Sequence, residues 1–184
     1  MSNKRFENLN SVQLAGELKK APVAYFSIGS LEHHGLHLPV GFDAMWIHQA
    51  CLASAEKTGG VVLPPTFWGT GPCMPGIEDM PGSLLLRETT ITALISDVFD
   101  QLVASGYKVI VLIAGHNPGL QGRILGQLEN EYQEESSTKV RIVQPTNFQK
   151  LRGYPHLPKI SPDHAAKTET SLAMHLYSRG APKV

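Results

Sequence analysis

Cysteine is nearly absent. Only Cys51 and Cys73 occur in 184 residues, without Cys-x-x-Cys spacing, so nothing calls for an oxidising compartment and a reducing cytoplasm is expected. The segment Met1 to Asn10 is polar and lacks the apolar core of a secretion signal. No apolar run approaches the ~20 residues needed to cross a bilayer, so no membrane role is expected. A formal net charge of +0, with both signs interspersed, leaves no basic patch for nucleic acid or an anionic membrane. The partners that remain are small molecules and copies of the chain itself. Internal repeats and low-complexity tracts are also missing. A chain of this length fits one domain, 1–184, burying about 70% of its unfolded surface, so neither disulfide nor metal is needed for folding.

Against these absences stands one dense stretch. Between Gly29 and Asp43 the chain carries Glu32, His33, His34, His37 and Asp43, directly after an apolar run. In an extended segment alternate side chains share a face, so Glu32 and His34 point the same way. Asp43 returns to them if Pro39-Val40-Gly41 turns the chain. Two carboxylates and an imidazole suit a divalent cation such as zinc, manganese or ferrous iron. The opposing reading is a polar turn with solvated histidines and Asp43 as a helix N-cap.

The surrounding pattern places this stretch in an α/β domain. Asn10 or Ser11 can cap a short helix, and Val23 to Ile28 reads as a buried strand. A helix runs from Asp43 to the stop at Gly59-Gly60, followed by a strand at Val61-Val62-Leu63. Pro64 to Ser83 is a long loop rich in Gly and Pro, the kind that usually serves function. A helical face spans Glu88 to Ser105, and Tyr107 to Ala114 is a near-continuous apolar run expected of a central strand. Gly115-His116-Asn117 sits at its C-terminal end, where open α/β sheets build sites. A helix from Gly119 to Glu134, a strand from Val140 to Val143, a loop from Gln144 to Pro162 and a last helix from near His164 complete the chain. Strands alternating with helices predict a three-layer α/β/α domain with a largely parallel central sheet.

Three segments then carry the chemistry: Glu32/His34/Asp43, His116, and Asp163 through Ser171. In order and spacing they resemble the creatininase family, also called creatinine amidohydrolases. Glu32, His34, Gly35, His37, Leu38, Pro39, Gly41 and Asp43 match its first motif, Ala114 to Gly119 a variant of its second, and His164 to Ser171 its third. Leu63-Pro64-Pro65 with Trp68-Gly69, and Pro81-Gly82-Ser83, resemble its substrate-side loop. The resemblance implies two divalent metal ions, zinc first with manganese or iron as alternatives. Glu32 and His116 would bind one, His34 the second, and Asp43 would bridge them. It further implies His164 as the proton shuttle, which adjacent Asp163 could orient, and a homo-oligomer, a hexamer in the family.

The chain also departs from the family pattern. Creatinine-active members carry a glutamate ligand where Pro118 stands here, and Glu169 is the expected replacement. His33 replaces a glutamine, and Lys167, read as a solvated helix residue, replaces an acidic one. The loop from Gln144 to Pro162 has no tryptophan to close over creatinine, which disfavours creatinine as substrate. Trp68, Ser83, Asn117 and Tyr154 are the expected substrate contacts. His37 stands between direct ligation and hydrogen bonding to a ligand. His48 and His175 read as core or solvated histidines, and Cys73 as a packing residue.

The implied activity is metal-dependent hydrolysis of a non-peptide C–N bond, in a cyclic amide or formamide, by a metal-activated water. Two alternatives remain: a peptidase-like protein of cofactor maturation on the same fold, and a degenerate member that binds metal or ligand without turnover.

Overall fold

The structure, a computed structural model, describes residues 4–135, 137–144 and 163–178. Its centre is a sheet of four parallel strands, β1 (Val23–Ile28), β2 (Val61–Val62), β3 (Val109–Ala114) and β4 (Lys139–Val143), in the order β2-β1-β3-β4. Side-chain alternation along these strands makes two cores. Ala24, Phe26, Ile28, Ile110, Leu112, Ala114, Val140 and Ile142 face one side, while Tyr25, Val62 and Ile113 face the other.

Helices cover both faces. On the first, α3 (Glu88–Ala104) inserts Ile91, Ile95, Phe99 and Leu102, and α4 (Gly119–Glu135) adds Ile124, Leu125 and Leu128. Phe99 is wholly buried edge-on against Phe26 and Tyr132, worth about 1.5–3 kcal/mol of transfer free energy. Leu14 and Leu18 of α1 (Ser11–Lys20), which Asn10 caps through a capping box with Gln13, pack against the same core. On the second face α2 (Phe42–Thr58) contributes Ile47, Cys51 and Ala55, and α5 (Lys167–Ser178) joins it where Ala173 meets Phe42 and Leu38. No helix among the described residues is long and apolar enough to span a bilayer.

Several boundaries differ from the sequence expectation. The central strand begins at Val109, because the amides of Lys108 and Val109 both reach the carbonyl of Pro22 before the ladder starts. The last helix begins at Lys167, three residues after His164. Asp163 accepts from the amides of Thr168 and Glu169, and Ala165 takes a left-handed turn at φ 51° between them. Asp43 lies inside the first turn of α2, with Gly41 as the N-cap, so it is not a helix cap.

Two glycines position the site. β1 and β3 end in register at Ile28 and Ala114, and each is followed by glycine. A Cβ on Gly29 would strike the backbone of Ala44, and one on Gly115 would strike the carbonyl of Asp43. Their bare backbones let the first turn of α2 rest on both strand exits, between the two central strands. Sequence order reverses direction there, which is where open parallel sheets bind ligands.

Candidate metal centre

The loop after β1 closes on itself through the amide of Glu32 and the carbonyl of Val40, 2.9 Å apart, so Pro39 to Gly41 do turn the chain back. Asp43 is thereby brought to His34. Its Oδ1 lies 3.1 Å from His34 Nε2, and its Oδ2 lies 3.2 Å from His116 Nδ1 and accepts from Ser30 Oγ at 2.8 Å. Glu32 is wholly buried; its Oε1 accepts from the Cys73 amide at 2.8 Å, and its Oε2 has no hydrogen-bond partner among the described residues.

Three histidines are held by one device. His34 Nδ1 donates to the Glu32 carbonyl at 2.9 Å, His116 Nε2 to the Gly71 carbonyl at 2.8 Å, and His164 Nε2 to the His33 carbonyl at 2.7 Å. A neutral imidazole with one N–H committed outward must turn its other nitrogen, as a lone pair, inward. The inward atoms face carboxylates: His34 Nε2 lies 3.6 Å from Glu169 Oε2, and His116 Nδ1 and His164 Nδ1 lie 3.3 and 3.7 Å from Glu32 Oε2. Lone pairs opposing carboxylates repel unless a proton or a metal ion stands between them.

Ionisation follows from that opposition. Burial disfavours charge on His34, yet the hydrogen bond and charge of Asp43 outweigh it and raise the imidazole to about 9. His116 is likewise raised well above its ordinary value against its own burial, by Asp43 first. Asp43, wholly enclosed, is nonetheless held far below the carboxylate range by His116 and His34. Glu169 is pushed up to about 7, by burial and then by the charge of Asp43. Three carboxylates and three inward imidazole nitrogens are thus enclosed together, and a divalent cation fits that donor set.

The ligand atoms fall into two groups, each with all atoms within 4.8 Å of one another: Glu32, Cys73 and His116, and His34, His164 and Glu169. Asp43 faces both groups through its two oxygens. The structure thus brings Glu32, His34, Asp43, His116, His164 and Glu169 together. Cys73, read from the sequence as packing, stands among them.

Other expected residues serve differently. Asp163 is engaged with the amides that open α5, and the His33 carbonyl, not Asp163, orients His164. Ser83 accepts from the His33 amide at 3.0 Å and so fixes the Glu32–His33 peptide, whose carbonyl holds His34. His37 is exposed and bonds Thr170 Oγ1 at 3.0 Å, tying the first loop to α5. Asn117 donates to the Ala114 carbonyl and leaves its Oδ1 buried without a hydrogen-bond partner among the described residues. Trp68 walls a cavity, but a different one: a cleft of about 540 Å³ lined by Phe26, Leu31, Leu63, Leu94 and Val98 among others, with no histidine or carboxylate. Tyr154 lies outside the described residues.

Fold and site together define an α/β protein with a candidate metal centre at the exits of two parallel strands. The sequence profile of the creatininase family, described as creatinine amidohydrolase, matches residues 7–179, and the chain belongs to that family. It is 26% identical to the creatinine amidohydrolase of Pseudomonas putida over 169 residues, covering 84% of this chain and 64% of that enzyme. It is 25% identical to the 3-dehydro-scyllo-inosose hydrolase of Thermotoga maritima over 111 residues, 60% of this chain and 35% of the other. The chain therefore spans less than two thirds of the length of either relative. A manganese form of creatininase superposes with a TM-score of 0.77 at 22% identity, covering 98% of this chain and 76% of its own. A mutant creatininase in Zn–Zn form superposes with 0.75 at 23% identity, covering 99% and 76%.

Proposed function

We propose that this chain is a metal-dependent amidohydrolase that cleaves a non-peptide C–N bond in a small cyclic amide or formamide. The observation that carries the proposal is the set of three imidazoles, His34 and His116 buried and His164 half-buried, each anchored by one nitrogen to a backbone carbonyl and aimed by the other at shared carboxylates. Divalent cations held there would polarise a carbonyl and supply hydroxide at neutral pH by lowering the pKa of a bound water toward ~7. Glu32 and His116 would hold one cation, His34 and Glu169 the other, and Asp43 would join the two.

The remaining work belongs to the protein. His164 keeps its Nε2 proton on the His33 carbonyl, so Nδ1 is the atom that accepts a proton and returns it to the departing nitrogen. Asn117 Oδ1, buried and unpartnered among the described residues, is an acceptor for a substrate N–H.

The test is hydrolysis of a panel of small cyclic amides and formamides, creatinine included, by zinc- or manganese-loaded protein and by His164→Ala. The variant should retain its metal and lose turnover by roughly 10²–10⁴-fold, the usual share of a positioned acid/base. Loss of a metal equivalent instead would make His164 a ligand. No hydrolysis across the panel by the loaded protein would overturn the proposal.

A further inference from the structure

Cys73 sits in the loop between β2 and α3, and nothing in its sequence neighbourhood marks it as functional. Its position does. The Cys73 amide donates to Glu32 Oε1 at 2.8 Å, and its Sγ lies 3.6 Å from His116 Nδ1, the inward nitrogen of that ring. The other oxygen of Glu32, on a wholly buried side chain, has no hydrogen-bond partner among the described residues. Sulfur, imidazole nitrogen and carboxylate oxygen therefore converge from three separate segments on one point.

We propose that Cys73 is a sulfur ligand to the cation held by Glu32 and His116. The inference rests on the reading of this centre as a metal site and adds what kind of metal each half takes. Ligation replaces the S–H bond with an S–metal bond and releases one proton to solvent. Thiolate is a soft donor that favours zinc, whereas carboxylate and water suit manganese. The half that His34 and Glu169 would form, with His164 beside it, has no sulfur among the described residues. The centre is thus asymmetric: its Glu32 half prefers zinc, and its Glu169 half accepts harder ions.

Cobalt(II) is the probe, because a sulfur ligand gives it an intense charge-transfer band in the near ultraviolet that nitrogen and oxygen ligands do not. The full chain loaded with cobalt(II) should show the band, and Cys73→Ser should bind cobalt without it. Cys51, buried in the core beneath α2, is too remote to supply it. On the unmutated chain, zinc should protect Cys73 from alkylation by iodoacetamide, a readout that needs no variant. In competition, Cys73→Ser should shift toward manganese. Cobalt bound without the band, a band that survives Cys73→Ser, or unprotected alkylation would overturn the sulfur ligand while leaving the metal site standing. Failure of the unmutated chain to bind cobalt or zinc at all would overturn both.

Discussion

Two sets of buried histidines, carried on or beside the same helix, have opposite fates. His48 of α2 is 3% exposed, almost as enclosed as His34 and His116, yet its neighbours are the Arg5 guanidinium, 2.7 Å from Nε2, and Ser27 Oγ. Burial first and the charge of Arg5 second lower it to about 4, so it stays neutral near pH 7. His34 and His116 suffer the same burial, but each faces Asp43 and a glutamate, and both rise. Burial alone does not distinguish a packed histidine from a candidate ligand. The sign of what surrounds the inward nitrogen does.

The sharpest way to break this contrast is to remove its cause. In Asp43→Ala, elemental analysis should show loss of bound metal together with loss of hydrolysis. The metal-free variant should be less stable in urea by about 3–5 kcal/mol, the cost of stripping one partner from a buried ionic set. Full metal content in the variant would show that Asp43 does not join the two ligand groups.

A smaller effect separates the two sets by pH. In the metal-free protein His34, at about 9, lies above its ordinary 6.5; its stabilisation is complete below pH 6.5 and is lost as pH rises toward 9. His48, at about 4, lies below the same reference; its stabilisation is complete above pH 6.5 and is lost as pH falls toward 4. Melting temperatures of chelated His48→Gln should therefore flatten between pH 6.5 and 4 while the alkaline decline persists. A variant that instead flattens the alkaline side would refute the contrast. The smallest effect is expected at the periphery. Ser83→Ala frees the Glu32–His33 peptide whose carbonyl orients His34 and should cost about 1 kcal/mol. The corresponding drop in kcat is roughly fivefold, with metal content unchanged.

Local signals carried most of the architecture. The apolar run ending at Ala114 and the 3–4 spacing from Ile91 to Leu102 each report their own burial, and the observed strands and helices follow them within two or three residues. Glu32, His34 and Asp43 were readable because they lie within one short stretch that the turn at Pro39 to Gly41 folds upon itself. What sequence reading missed depends on contacts between distant segments. Cys73 reaches His116 across 43 positions, and only its Gly-Pro-rich loop hinted at a role. Trp68 shares that loop but faces the α3 side of the sheet, a choice of face that loop composition does not encode. α5 starts at Lys167 rather than near His164 because the Asp163 carboxylate, three residues before Ala166, takes the amides of Thr168 and Glu169 that open the helix.

The backbone carbonyls that hold the imidazoles carry a consequence for assembly. Those holding His34 and His164 belong to Glu32 and His33, neighbours in a single loop. His34 is two residues from its carbonyl, whereas His164 is 131 residues from its own, and the bond between His37 and Thr170 spans 133. The first is a local event; the second must await docking of the chain's far segment, with the entropic cost of a long closure. These separations predict a centre that matures in stages, the Glu32 half once β1, β3 and the Cys73 loop have met and the Glu169 half only when α5 is seated. On the two-cation reading proposed above, metal stoichiometry measured during refolding is expected to time the arrival of the C-terminal helix, one equivalent before it docks and two after.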